Sequence, residues 1–412
     1  MKRSFVTVLL ILAAGTGACG HGGSGASSGH DAPDASAPSS GTPERAATIT
    51  WTSLPSNALG PGHSRIVDIA ATPSGVVGVG SVTTAGRRVP AAWTSRDGET
   101  WTRLAVEPKS VYGFVSELTT VAATGDGKVS AIGQAVGGTH GNPRVGSWYL
   151  DGSTLREVVA PVELYGGPRQ GSVDEMAGGP TGFVVVGMRT DQNERTGAAV
   201  WTSPDAHTEF AIRDTDPALE SGPHELVRAL GAAADDQGYL AVGDITVDGR
   251  IDDDAMAWTS PDGVRWTRVA ASAGTFGGPD AEMAQLATPW QAGWAAAGIV
   301  TNQKGTSLIA WVSRDGARWG RVVLTGFGTS PDVLSEVTSL DGQGGRLYLG
   351  GRLGARFVAA RSDDGLRWTP IVVPDGAKAE PHARLLVQPV GGRLVVAATT
   401  DAGTRLWSAV GR

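Results

Sequence analysis

The chain has a single cysteine in 412 residues, Cys19, so no disulfide can form within it and any exported body must hold together by packing alone. Charged residues are scarce at 18%, and the formal net charge is −7; no basic stripe of the kind a phosphate backbone needs is visible, which argues against nucleic acid as a partner. The apolar stretch Phe5 to Ala14, interrupted only by Thr7, is too short to cross a bilayer. Tyrosines number only five. Glycine, by contrast, is abundant at 60 residues, which suits short strands joined by tight turns and not long helices.

The first residues set the expected compartment. Lys2 and Arg3 precede the apolar run, and Thr16-Gly17-Ala18-Cys19 closes it with small residues, the layout of a cleaved export signal over residues 1–18. Loss of Lys2 and Arg3 takes the net charge from −7 to −9. The cysteine falls where the bacterial lipobox, which this segment resembles, places its acylated residue, although Thr16 stands where that motif usually has Leu. Residues 19–47 are then a lipidated tether of Gly, Ser, Ala, Pro, Asp and His, too poor in large apolar groups to fold. His21 and His30 lie in it, two isolated histidines where a metal site needs three or four converging ligands.

From residue 48 onward a repeat emerges. Ala92-Trp93-Thr94-Ser95-Arg96-Asp97-Gly98 returns as Ala257-Trp258-Thr259-Ser260-Pro261-Asp262-Gly263 and Ala310-Trp311-Val312-Ser313-Arg314-Asp315-Gly316, with a further copy at Ser362-Asp363-Asp364-Gly365 and weaker ones at Trp148, Trp201 and Trp407. Six steps from Trp93 to Trp407 average about 52 residues, the period of a propeller blade. Each unit reads as four strands: an alternating run such as Arg65 to Ile69, an apolar run ending in glycine such as Val76 to Gly80, the Ala-Trp-Thr-Ser strand, and a fourth strand after an Asp-Gly hairpin. Seven second strands can be counted. The last unit stops after its third strand, Arg405 to Ala409, while Thr48 to Leu54 reads as a fourth strand with no blade before it. Joining the two leaves no open sheet edge, so the fold class expected is an all-β, seven-bladed β-propeller of four-stranded blades over residues 48–412, closed by its N-terminal strand.

The Ser-x-Asp-Gly-x-x-Trp element resembles the Asp-box, or BNR, repeat of sialidase-like propellers, though Gly98, Gly263 and Gly316 follow their aspartates directly, where the common form has glycine two places on. The resemblance implies that Ser95, Asp97, Trp101 and their copies are structural turn residues. It also suggests a sialidase-type reading, which would need three arginines around a carboxylate and a Tyr/Glu pair. Arg65-Ile66 fits that pattern only in part, because Val67 stands where proline should follow, and Tyr112, Tyr149, Tyr165, Tyr239 and Tyr348 occupy no strand context that invites pairing.

At the start of the innermost strands Glu117, Glu175, Glu225, Glu282 and Glu336 fall in blades two to six, and Arg65 and Arg384 in blades one and seven. Placed in one register they would ring a channel mouth with net negative charge. Such a ring either locks blade to blade through backbone hydrogen bonds or binds a cation, an amine-bearing ligand or a basic peptide loop. His63 and His382 stand two residues before the arginines. Asp244, Asp248, Asp252, Asp253 and Asp254 crowd one loop without the spacing of a calcium motif, and Trp290 is either an exposed stacking surface or a cap on the core. No catalytic set, metal or cofactor is expected. The function expected is a membrane-anchored, monomeric binding or scaffolding propeller, exported and held to the outer face of the cell membrane by Cys19, for a protein, peptide or envelope polymer; the alternative is a glycan-processing enzyme.

Overall fold

A computed structural model of the chain describes residues 49–137, 143–191, 194–213, 215–269, 275–291, 293–331 and 334–410. The export signal, Cys19 and the tether lie outside the described residues.

Seven antiparallel sheets form the blades of a closed propeller. Blade one runs outward through His63–Thr72, Gly75–Thr84, Arg87–Ser95 and Thr102–Arg103. The inner strands of the next five blades are Glu117–Ala123, Gln170–Gly179, Glu225–Asp235, Ala281–Trp290 and Glu336–Gln343. Blade seven begins with Arg384–Val390 and is completed from the other end of the chain: Thr52–Ser53 pairs antiparallel with Gly403–Val410, Thr52 opposite Ser408. The pairing continues where Leu54 N–H donates to the Leu406 carbonyl at 2.9 Å. Blade two departs from four strands. It turns at Gly152 without an Asp-box, and Ala105–Glu107 adds a fifth, parallel strand at its rim.

Packing between blades carries the stability. Each of the seven apolar clusters joins residues of two neighbouring blades, so the core is a ring of interfaces and not a central mass. Third-strand tryptophans Trp93, Trp148, Trp201, Trp258 and Trp311 are the largest fully buried side chains. Burying each removes roughly 200 Å² of apolar surface from water, on the order of 5 kcal/mol of transfer free energy.

The glycine that closes the apolar run of most second strands lies inside the strand and has a steric cause. In blades one to six the inner strand carries a β-bulge. In blade four the bulge presses the Arg228 carbonyl onto Gly243, where a Cβ would collide with it, and in blade one Arg65 meets Gly80 in the same way.

The Asp-Gly turns are structural, as the Asp-box resemblance implies. At the third-to-fourth strand turn of blade four, the Ser260 hydroxyl accepts the Gly263 N–H at 2.8 Å, and Asp262 accepts the N–H groups of Val264 and Arg265, each at 2.9 Å. Trp266 Nε1 then donates to the Gly263 carbonyl at 3.1 Å. Blade three repeats the turn with Ala206 at φ +61° in the glycine position and buried Phe210 after it. In sequence this copy is legible only as the weaker one at Trp201, because both marker residues of its turn have changed.

Candidate functional site

The inner strands line the central channel, and β-pairing fixes which of their residues lie level. Opposite the residue that follows each second-strand glycine, or its blade-seven equivalent Ala398, sit Arg65, Glu117, Ser172, Arg228, Met283, Glu336 and Arg384 in blade order. Four of the seven residues expected in one register therefore share it: Arg65, Glu117, Glu336 and Arg384. Glu225 and Glu282 stand three and one positions upstream, on the other face of their strands, and Glu175 lies downstream inside the bulge of blade three.

The expected acidic mouth is instead a set of ion pairs. Arg65 Nε donates to Glu117 Oε1 at 2.9 Å, and Ser81 donates to the same oxygen at 2.6 Å. Glu336 pairs with Arg352 at 3.2 Å. Glu225 is held at 2.7 Å by Arg268 on the fourth strand of its own blade, and buried Glu282 is held by Arg321 on the fourth strand of blade five. Burial raises the Glu282 carboxyl above its ordinary pKa even so, the Arg321 guanidinium only partly offsetting it.

Acidity is concentrated deeper in the channel. A cavity of about 270 Å³ is walled by all seven inner strands, and Asp68, Glu175 and Asp341 are among the residues that line it. Asp68 accepts the N–H groups of Ile69 and, from the neighbouring blade, Val121, each at 2.8 Å. Glu175 accepts the Met176 N–H at 2.9 Å and the hydroxyl of Thr120. Asp341 accepts from Gln388 Nε2 at 3.2 Å.

Burial pushes Glu175 up to about 8, helped by the nearby charge of Asp68. It pushes Asp341 up to about 7, again with repulsion from Asp68, and holds Asp68 itself above the ordinary carboxylate range. Arg384 opposes the rise: its charge favours ionised Asp68 and Glu175 while its Nη1 donates to the Val67 carbonyl at 3.2 Å. The result is a narrow acidic chamber whose protons are held near neutral pH.

Blade locking, one of the two roles open to the glutamate ring, falls largely to other side chains. Asp68 ties blade one to two, Gln134 donates to the Val173 carbonyl at 3.0 Å, and Gln285 accepts the Val337 N–H at 2.8 Å. Ser339 accepts the Val387 N–H at 2.9 Å, and Thr404 accepts the Ile66 N–H at 2.7 Å across the seam. Among the glutamates, Glu117 and Glu175 make contacts between blades.

The remaining candidate features resolve structurally. In the acidic loop of blade four, arginines occupy the place of a cation: Arg228 grips Asp244, with Nε to Oδ1 at 2.8 Å, and Arg250 holds Asp252 at 2.6 Å and also Asp254. Among the described residues no group of three or more His, Cys, Asp or Glu side chains could hold a metal ion. Trp290 Nε1 donates to the Gly345 carbonyl at 2.9 Å and so bridges blade five to six. His63 and His382 are exposed, outside the channel. Among the described residues no tyrosine lines the chamber, and Arg384 is the arginine whose charge acts on Asp68 and Glu175.

Asp68 and Asp341 were missed as site residues because each sits inside a run that reads simply as inner strand. The available signal was an acidic residue at a channel-facing step just beyond the bulge.

Among solved structures the chain is similar to a Trypanosoma rangeli sialidase in complex with sialic acid, at 14% identity over 89% of this chain and 57% of that one, with a TM-score of 0.41. It is similar to the β-propeller domain of the Trilobed protease from Pyrococcus furiosus, which has an open velcro topology, at 9% identity over 85% and 96% of the two chains, with a TM-score of 0.45. A Hadza microbial sialidase is 11% identical over 84% of this chain and 66% of that one, with a TM-score of 0.43. The chain thus spans little more than half the length of the first of these. No protein-family model matches it, and no curated protein sequence matches it.

Proposed function

We propose that this chain is an exported, lipid-tethered, monomeric propeller that binds a cationic group of a protein, peptide or envelope-polymer ligand in its central channel, without chemistry of its own. The observation that carries this reading is the convergence of Asp68, Glu175 and Asp341 in one cavity, with Arg384 acting against the first two. An amine or guanidinium entering the chamber would replace protons that burial holds on the carboxyls, so binding would release protons and tighten as pH rises toward 8. The mature net charge of −9 favours encounter with such a ligand.

Titration with short lysine-bearing peptides tests the chamber. Binding should weaken at least about tenfold when Glu175→Gln and Asp341→Asn are combined, as expected for two lost charge-assisted contacts. Unchanged affinity in that variant would sink the channel reading. Anchoring is tested separately. Protein extracted from membranes should carry diacylglyceryl on Cys19 by intact-mass analysis, and Cys19→Ser should release the body into the soluble fraction. Persistent membrane association of that variant would sink the lipid anchor without touching the chamber.

A glycan-processing reading draws on the same carboxyls, since groups that titrate near 7 and 8 are suited to general acid and base work. Loss of polysaccharide cleavage in Glu175→Gln would establish it over the binding reading.

A further inference from the structure

In four blades the third-strand tryptophan has a fixed task. The indole Nε1 groups of Trp93, Trp201, Trp258 and Trp311 donate to the carbonyls of Leu59, Leu164, Ala218 and Thr275, at 2.9, 2.7, 2.7 and 2.8 Å. Each acceptor belongs to the loop that leads into that blade, so the indole pins the loop over the sheet. Trp148 of blade two is equally buried, at 1% exposure, yet its Nε1 has no partner among the described residues. A buried donor left unanswered costs roughly 1 to 3 kcal/mol, so its vacancy calls for a cause.

The cause is Glu157, on the fourth strand of blade two and 4% exposed. Its carboxylate accepts the N–H groups of Lys109 and Ser110, at 2.5 and 2.8 Å, together with the Ser110 hydroxyl. The lead-in loop is thereby held by the carboxylate, and none of its described carbonyls accepts the indole N–H. A cavity of about 120 Å³ remains, lined by Trp148, Tyr112, Arg144, Val159 and Val162. Arg144 lies over the Tyr112 ring at 5.6 Å, and its Nε is a second buried donor without a partner among the described residues. Glu157, the acidic group in the wall, already has its oxygens occupied by the loop. The cavity therefore offers two unanswered donors and an apolar lining.

The surroundings match. Val111, Phe114, Val115 and Val159 are all exposed and belong to the two lead-in segments beside this cavity. Exposed apolar groups gathered on one side of one blade mark an interaction surface.

We propose that this cavity is a second binding site, for a peptide segment that inserts one apolar side chain and gives a backbone carbonyl to Trp148 Nε1, taking the place that the lead-in loop fills in the other blades. The site is independent of the acidic chamber, because it lies between loops of blades two and three and shares no residue with the channel wall.

The test uses the full mature chain with ¹⁵N-labelled tryptophan indoles and a blocked tripeptide, acetyl-Gly-Leu-Gly-amide, as probe. The Trp148 resonance, identified by its loss in Trp148→Phe, should shift as the peptide saturates the site, while those of Trp93, Trp258 and Trp311 stay in place. Affinity should fall about tenfold in Trp148→Phe, the weight of one buried hydrogen bond. Phe114→Ser, at an exposed position that leaves the fold intact, should also weaken binding severalfold. A Trp148 resonance that does not move up to the solubility limit of the peptide would overturn the proposal. So would equal affinity in Trp148→Phe, or an equal shift on adding isoamyl alcohol, which has the leucine side chain but no carbonyl.

Discussion

Arg65 reaches from the inner strand of blade one to Glu117 at the head of blade two, with Nε donating to Oε1 at 2.9 Å, and the two side chains are only 10% and 18% exposed. The same guanidinium donates to the Thr400 carbonyl and lies 3.2 Å from Asp401, so one side chain joins blades seven, one and two. Removing Arg65 leaves the largely buried Glu117 carboxylate with only Ser81 and the half-exposed Arg88, 3.5 Å away, to answer it. Arg65→Met is expected to cost about 3 kcal/mol, whereas adding Glu117→Leu to it should cost much less than the sum of the single changes. Urea unfolding of the two single variants and the double variant measures this coupling. Additive losses would mean that the pair contributes nothing as a pair.

The ring closes through very little regular pairing, two strand residues on the N-terminal side, and side chains must supplement it. Trp51 Nε1 donates to the Val372 carbonyl of blade six at 2.8 Å, and its ring packs on the cluster between blades six and seven. Because the indole is half-buried, Trp51→Ala should lose about 2 kcal/mol, below the range for a fully buried aromatic. Hydrogen exchange should show faster opening of Gly403–Val410, the strand that Thr52–Ser53 covers, with blades three to five unaffected. Uniform protection across all blades would contradict this view of the seam.

What the sequence made legible was local or repeated. The Asp-Gly turns, the third-strand tryptophans and the orphan strand near Trp51 are short signals with a short-range cause, and the repeat multiplied them. The channel was harder to read because its register is set by pairing with the second strand. Glu225 and Glu282 look like heads of strands, but their strands extend past the common level by unequal lengths, and a shift of one or three residues turns a side chain to the other face. Glu175 moved in the other sense, carried past that level by the bulge. Counting back from Gly243 and Gly298, whose opposite partners are Ala229 and Ala284, would have placed Arg228 and Met283 in the ring.

The Asp-box turns separate a hydrogen-bonding effect from a steric one. Ser260→Ala strands the buried Gly263 N–H and should cost roughly 1 to 3 kcal/mol. Gly263→Ala acts differently. Ala206 in blade three shows that alanine can occupy this turn at φ +61°, so the left-handed backbone alone costs about 1 kcal/mol. At Gly263, however, the new Cβ would lie 2.6 Å from Val184 Cγ2 of the neighbouring blade, which forces a shift at the interface. Adding Val184→Ala should therefore recover part of the loss in Gly263→Ala and none of the loss in Ser260→Ala. Thermal melts of the three pairs decide it, and absence of rescue would place the cost in the backbone.

The acidic chamber gives stability an uncommon dependence on pH. Glu175 has an ordinary pKa of 4.5 and is raised to about 8 in the fold, chiefly by burial. Between those values the folded chain keeps a proton that the unfolded chain releases, so stability falls as pH rises through this window. The contribution is fully present below about 4.5 and gone above about 8. Asp341, raised to about 7, acts in the same sense, while Asp97 and Asp262, lowered by backbone N–H groups, lose their contribution only as the medium becomes acidic, below this window. Glu175→Gln keeps an acceptor for Met176 N–H but cannot ionise. The melting temperature of Glu175→Gln minus that of the native chain should therefore grow steadily from pH 5 to pH 8. A difference that stays flat over this range would mean that Glu175 ionises as freely in the channel as in water, and the chamber would then hold full negative charge at neutral pH.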